Sequence, residues 1–176
     1  LAAQSSEGYS EANDLREGWT LLELMVSLVV LTIGVVSFIM ALTSSMKLGA
    51  AGHDRDIAVN AARQMIEQMR AYSDFSTTFA HYNANANFEV DGLTVKADDS
   101  DGYVGRIAFP TSGSELREDT SDSDLGMPKD LNGDGAIDAS DHASDYIILP
   151  VTVYVEWFGS GSDWSVEVRA LLVDRD

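Results

Sequence analysis

Leu24–Met46 reads LMVSLVVLTIGVVSFIMALTSSM, 23 residues without a charge. Wound as an α-helix at about 1.5 Å per residue, the run spans roughly 35 Å, enough to cross the hydrocarbon core of a bilayer. A buried helix of a soluble domain would carry a polar stripe, whereas the polar residues here are small ones: Ser27, Thr32, Ser37, Thr43, Ser44 and Ser45. The stretch therefore predicts a membrane-inserted helix, and the fold follows from what the chain does on either side of it.

Downstream the helical pattern continues with a changed character. Ile57, Ala61, Met65, Met69 and Tyr72 recur at three- and four-residue steps, with Ala58, Ala62 and Ile66 beside them and charged or amide residues filling the remainder. One apolar stripe on a polar helix is suited to carrying a packed domain on one side. No proline falls between Trp19 and Tyr72, so a single helix would run roughly 80 Å. Gly49 and Gly52 are the places where an anchor would separate from a second helix.

Beyond Tyr72 the chain reads as strands and acidic loops. Ser73–Asn87 lacks a clear period and is expected to be a connecting loop. Phe88–Val90 and Leu93–Lys96 flank Asp91-Gly92 and predict a tight hairpin; Tyr103–Phe109 predicts a further strand. Tyr146–Trp157 alternates Val151, Val153, Val155 and Trp157 against Thr152, Tyr154 and Glu156, and Trp164–Val173 alternates in the same way. The two predict an antiparallel hairpin with one buried face, joined through Phe158–Asp163. Pro150 lacks a backbone donor and is expected at a sheet edge or a bulge.

The 176 residues carry 29 acidic and 11 basic side chains, a formal charge of −18, and no cysteine. Like-charge repulsion argues against nucleic acid as a partner. Without cysteine there is no disulfide, thiolate metal site or thiol catalysis. Ahead of the apolar run, residues 1–18 hold Glu7, Glu11, Asp14 and Glu17 against Arg16. An acidic leader before so long an apolar run does not fit an ordinary secretory signal.

Where leader meets helix the chain reads Gly18-Trp19-Thr20-Leu21-Leu22-Glu23-Leu24-Met25-Val26. A carboxylate at the start of an apolar helix costs about 2.5–3.5 kcal/mol if carried to the bilayer centre, so Glu23 requires a partner. Polar leader, Gly18, Glu23 and apolar run together resemble the class III signal sequence of type IV pilins and type II secretion pseudopilins. The resemblance implies cleavage after Gly18 by a prepilin peptidase and methylation of the new terminus at Trp19, where family members most often carry Phe. It implies an α+β, lollipop-shaped subunit: residues 19–48 as transmembrane and polymerisation helix, 49–72 as its amphipathic continuation, and 73–176 as a β-rich head on a small antiparallel sheet. It also implies related pilin subunits and an inner-membrane assembly platform as partners. The location would be the bacterial inner membrane as precursor, then a periplasmic pseudopilus or an extracellular filament. Glu23 would meet the Trp19 ammonium of a neighbouring subunit in the filament core, fixing register. Thr20 would join that cluster or simply start the helix.

A second motif is Asp130-Leu131-Asn132-Gly133-Asp134-Gly135-Ala136-Ile137-Asp138-Ala139-Ser140-Asp141. Oxygen ligands at alternate positions match a calcium loop: Asp130, Asn132 and Asp134 by side chain, Ala136 by its carbonyl, Asp138 directly or through water, and Asp141 where an EF-hand carries Glu. The shorter final Asp resembles dockerin-type loops. Gly135 would permit the sharp turn, Ile137 would pin the loop to the core, and calcium would be a structural cofactor. His53, His81 and His142 are scattered and suggest no zinc site. Neither a Gly-x-Ser-x-Gly elbow nor a phosphate-binding glycine loop occurs, so the expectation is a non-enzymatic filament subunit. The competing expectation is a single-span membrane protein displaying a calcium-binding recognition domain.

Overall fold

The computed structural model describes residues 20–174. The leader, Gly18 and Trp19 lie outside the described residues. The chain falls into two units, Leu1–Ser44 and Ser45–Asp176, but one helix, α1 (Leu21–Arg70), runs through both. Gly49 and Gly52 lie inside it without a break.

In the first unit α1 is capped by Thr20, whose hydroxyl accepts from the Glu23 N–H at 3.3 Å, a satisfied donor of the first turn. Every residue from 20 to 50 is exposed. The polar side chains of this apolar run look inward to their own backbone: the Thr32 hydroxyl donates to the Leu28 carbonyl at 2.7 Å and that of Thr43 to Ile39 at 2.9 Å. Such bonds let threonine sit in an apolar helix without an orphan donor. This helix is long and apolar enough to cross a membrane.

In the second unit α1 buries Ala58, Ala62, Ile66 and Met69, steps of four, four and three that form one face. They share a core with Val151, Val153, Val155 and Trp157. The sheet has strands β1 (Asn87–Phe88), β2 (Gly105–Ala108), β5 (Ile148–Gly159) and β6 (Ser162–Val173) in the order β1-β2-β5-β6, all antiparallel. A separate two-stranded piece pairs β3 (Thr111–Ser112) with β4 (Glu115–Leu116). The architecture is α+β, with a long amino-terminal helix and a small antiparallel sheet.

The long hairpin forms where alternation predicts it, with strands that reach further into the linker. Its turn is Ser160-Gly161, with positive φ at both residues (52° and 86°), the conformation that suits the twist of paired strands. Pro150 is on β5, an inner strand in the sheet order, at a position beyond the end of its pairing with β2. In the ladder alternation fixed by the two-residue turn, the nitrogen of Pro150 points away from β6, as those of Glu156 and Phe158 do. On that flank β2 has already ended, at Ala108 opposite Thr152. The missing donor therefore breaks no rung.

Two expectations are corrected. Ser73–Asn87 is not a loop: Phe75–Ala84 forms helix α2, capped by Asp74, which accepts from the Ser76 N–H. Phe75, Phe79 and Tyr82 supply an apolar face at helical spacing. The Tyr146 hydroxyl docks this helix, donating to the Phe75 carbonyl and accepting from the Phe79 N–H. It thus engages both ends of an i to i−4 pair. The predicted 88–96 hairpin is absent too. Its turn exists, closed by Leu93 N–H to Val90, but Phe88 pairs with Gly105 and Thr94 bridges Phe158. A Cβ on Gly105 would lie 2.3 Å from the Phe88 ring, so the ring takes the space that a side chain would need.

Candidate functional site

At the start of α1, Thr20 and Glu23 are joined through the Thr20 cap. The spacing Thr20-x-x-Glu23 is that of a capping box, of which the bond shown is the one from the Glu23 backbone N–H to the Thr20 hydroxyl. Glu23 itself is exposed.

The acidic loop is organised by its own Asp and Asn side chains. Asp130 accepts from the N–H groups of Gly133 and Gly135, Asn132 from Asp134 at 3.0 Å, and Asp134 from Ala136 at 2.8 Å. The Gly135 N–H above all, with Gly133 adding to it against the effect of burial, holds the Asp130 carboxyl below its ordinary pKa. Gly135 has φ of +87°, the conformation its place in the turn requires. The loop is thereby wound by the side-chain oxygens of Asp130, Asn132 and Asp134, at alternate positions. Asp141 is engaged elsewhere: its Oδ1 accepts from Leu116 and Ala143, both at 3.0 Å. The residue pinning the loop is Leu131, fully buried, and not Ile137, which is 52% exposed. The Leu131 carbonyl accepts from Ile147 and Ile148, tying the loop to the first residue of β5 and the one before it.

The loop closes around a residue outside the motif. Glu118 is buried, and its Oε1 accepts from Leu131 at 2.6 Å and Asn132 at 3.3 Å, while Oε2 accepts from Asp138 at 3.3 Å. One carboxylate thus satisfies three backbone donors at the two ends of the loop. Beside it sits His142, also buried, with Nε2 3.3 Å from Asp138 Oδ1 and 3.7 Å from Glu118 Oε2, and Nδ1 3.1 Å from Asp145 Oδ1. Burial works to lower the imidazole pKa. Hydrogen bonds to Asp138 and Asp145 and the charge of Glu118 outweigh it and hold it above the ordinary value. Asp138 is held below the carboxylate range first by the Ser140 N–H and further by His142.

Glu118 and His142 are the residues that sequence reasoning missed. Glu118 stands twelve positions before the loop with no spacing to mark it. His142, by contrast, has Asp138 four residues before and Asp145 three after, a spacing legible in the sequence.

Compared with known proteins, the chain matches no family model, no curated protein and no solved structure.

Proposed function

We propose that this chain is a structural subunit of a type IV pilus-like or type II secretion pseudopilus filament, made as a membrane-anchored precursor and processed after Gly18. The observation that carries the reading is the 50-residue α1, whose apolar first half is exposed throughout while its second half is packed into a sheet domain. An exposed apolar surface of that length needs a cover, and bilayer and neighbouring helices are the two environments that supply one. Glu23 at its start supports neighbouring helices as the final environment, because another chain's amino terminus beside it would supply the opposite charge that a carboxylate in an apolar surround requires. The functional partners are then copies of this chain or related subunits, a prepilin peptidase and a membrane assembly platform. The role is structural and not catalytic.

Amino-terminal mass spectrometry of the exported protein tests the reading. The expected result is a chain beginning at Trp19, free or methylated. An intact leader on protein held in the membrane would instead establish a plain single-span anchor.

Calcium in the 130–141 loop belongs to the same proposal, with Asp130, Asn132, Asp134, the Ala136 carbonyl and Asp141 as its holders and Asp138 reaching it through water. With no cysteine available, the ion would staple the segment between β4 and β5. Scanning calorimetry of the full chain in detergent should show a transition raised by calcium and lowered by chelator. At a hundredfold excess over the dissociation constant the stabilisation would be about 2.7 kcal/mol; identical transitions in the two conditions would remove calcium from the proposal.

A further inference from the structure

Glu118, Asp138 and His142 form a grouping that the calcium spacing does not contain. Their ligand atoms all lie within 4.8 Å of one another. Two atoms bound about 2.1 Å from a tetrahedral ion stand roughly 3.4 Å apart. The separations of 3.3 and 3.7 Å from His142 Nε2 to the two carboxylates are of that size.

The histidine is also oriented. Nδ1 lies 3.1 Å from Asp145 Oδ1; in the tautomer that keeps its proton there, Nε2 would turn a lone pair, in place of a proton, toward Asp138 and Glu118. A carboxylate behind the ring is the support that metal-binding histidines ordinarily have. Charge points the same way. Glu118 is 1% exposed, and the neighbouring guanidinium of Arg117 is engaged with Asp119 at 2.7 Å and Glu115 at 3.9 Å. Two carboxylates, that of Glu118 buried and that of Asp138 half exposed, face one imidazole, and a divalent ion would neutralise the negative charge they carry.

We propose that Glu118, Asp138 and His142 bind a transition-metal divalent cation of the zinc class, at a place distinct from the all-oxygen calcium arrangement of the same loop. The imidazole nitrogen favours such an ion over calcium, which takes oxygen ligands. Asp138 is at the ninth position of the loop, where calcium is commonly contacted through water, so its direct engagement here leaves the calcium donors in place. It is also half exposed, which gives the ion a route in and leaves positions for water.

The test uses the full chain in detergent micelles, titrated with Co²⁺ alone and then with Zn²⁺ alone. One equivalent of cobalt should develop visible absorption bands of a nitrogen and oxygen site, and zinc should bleach them. His142→Ala should abolish the bands, and Asp145→Asn should weaken binding ten- to a hundredfold. Asp130→Asn should keep the cobalt spectrum while reducing calcium binding, with circular dichroism verifying the fold of each variant. Absence of a one-equivalent cobalt spectrum would overturn the proposal. So would bands unchanged by His142→Ala, or lost in step with calcium binding in Asp130→Asn. Should His142→Ala not fold, Asp145→Asn decides: unaltered cobalt affinity in that variant overturns the site.

Discussion

Glu118→Ala is expected to lower the stability of the second unit by about 3–5 kcal/mol, the loss typical of a buried charged group removed from its partners. The substitution strips the acceptor from the N–H groups of Leu131, Asn132 and Asp138 at once. Each donor left buried without a partner costs about 1–3 kcal/mol. It also removes the carboxylate beside His142 and opens space where the side chain is almost wholly enclosed. Urea denaturation in the presence of chelator measures the effect free of any ion. Glu118→Gln keeps one acceptor oxygen and should lose less. A change below about 1 kcal/mol for the alanine variant would mean that the loop closes without Glu118.

The second large effect concerns assembly. Glu23→Ala removes a carboxylate from an exposed position on the apolar half of α1, and the Thr20 cap, which uses the Glu23 backbone N–H, is retained. Helix and membrane insertion should therefore persist, insertion even becoming easier by about 2.5–3.5 kcal/mol if the site reaches the bilayer centre. Incorporation into filaments should fall by tenfold or more, since the neighbour's ammonium would be left unpaired in an apolar core. Quantifying sheared filaments against the membrane pool checks this. Wild-type filament yield from processed Glu23→Ala would show that the Glu23 carboxylate is not needed for assembly.

Two features of the fold were legible because each extends over many residues, one by unbroken apolar length and the other by a period of two. The uncharged run at Leu24–Met46 and the alternation through Val151, Val153 and Val155 leave little choice of element. Helix α2 was obscured by its polar composition, SDFSTTFAHYNANAN, in which Asp74 as cap and the Phe75, Phe79 and Tyr82 spacing were the available signals. The 88–96 hairpin was misread for a different reason. Its turn is real, but Phe88 gains more by covering Gly105 than by pairing across Asp91-Gly92, and a local pattern cannot weigh that contact. The acidic loop shows the same division. Its spacing predicted the winding around Asp130 and Gly135, whereas the commitment of Asp141 to Leu116 and the arrival of Glu118 depend on where β4 lies.

Strand β6 pairs with β5 along all twelve of its residues, and in the sheet order it stands last. Its other flank is a row of backbone donors and acceptors, the kind of border that invites strands of other molecules and leads to aggregation. The chain places Asp163, Glu167 and Arg169 along this border, and Arg169 is further held by Asp124 at 2.9 Å. Charged side chains on a sheet border make uncontrolled strand addition unfavourable. On β6 these charges stand among the exposed apolar side chains of Trp164, Leu171 and Val173, so the border carries charge at the places where strand addition would otherwise be favoured.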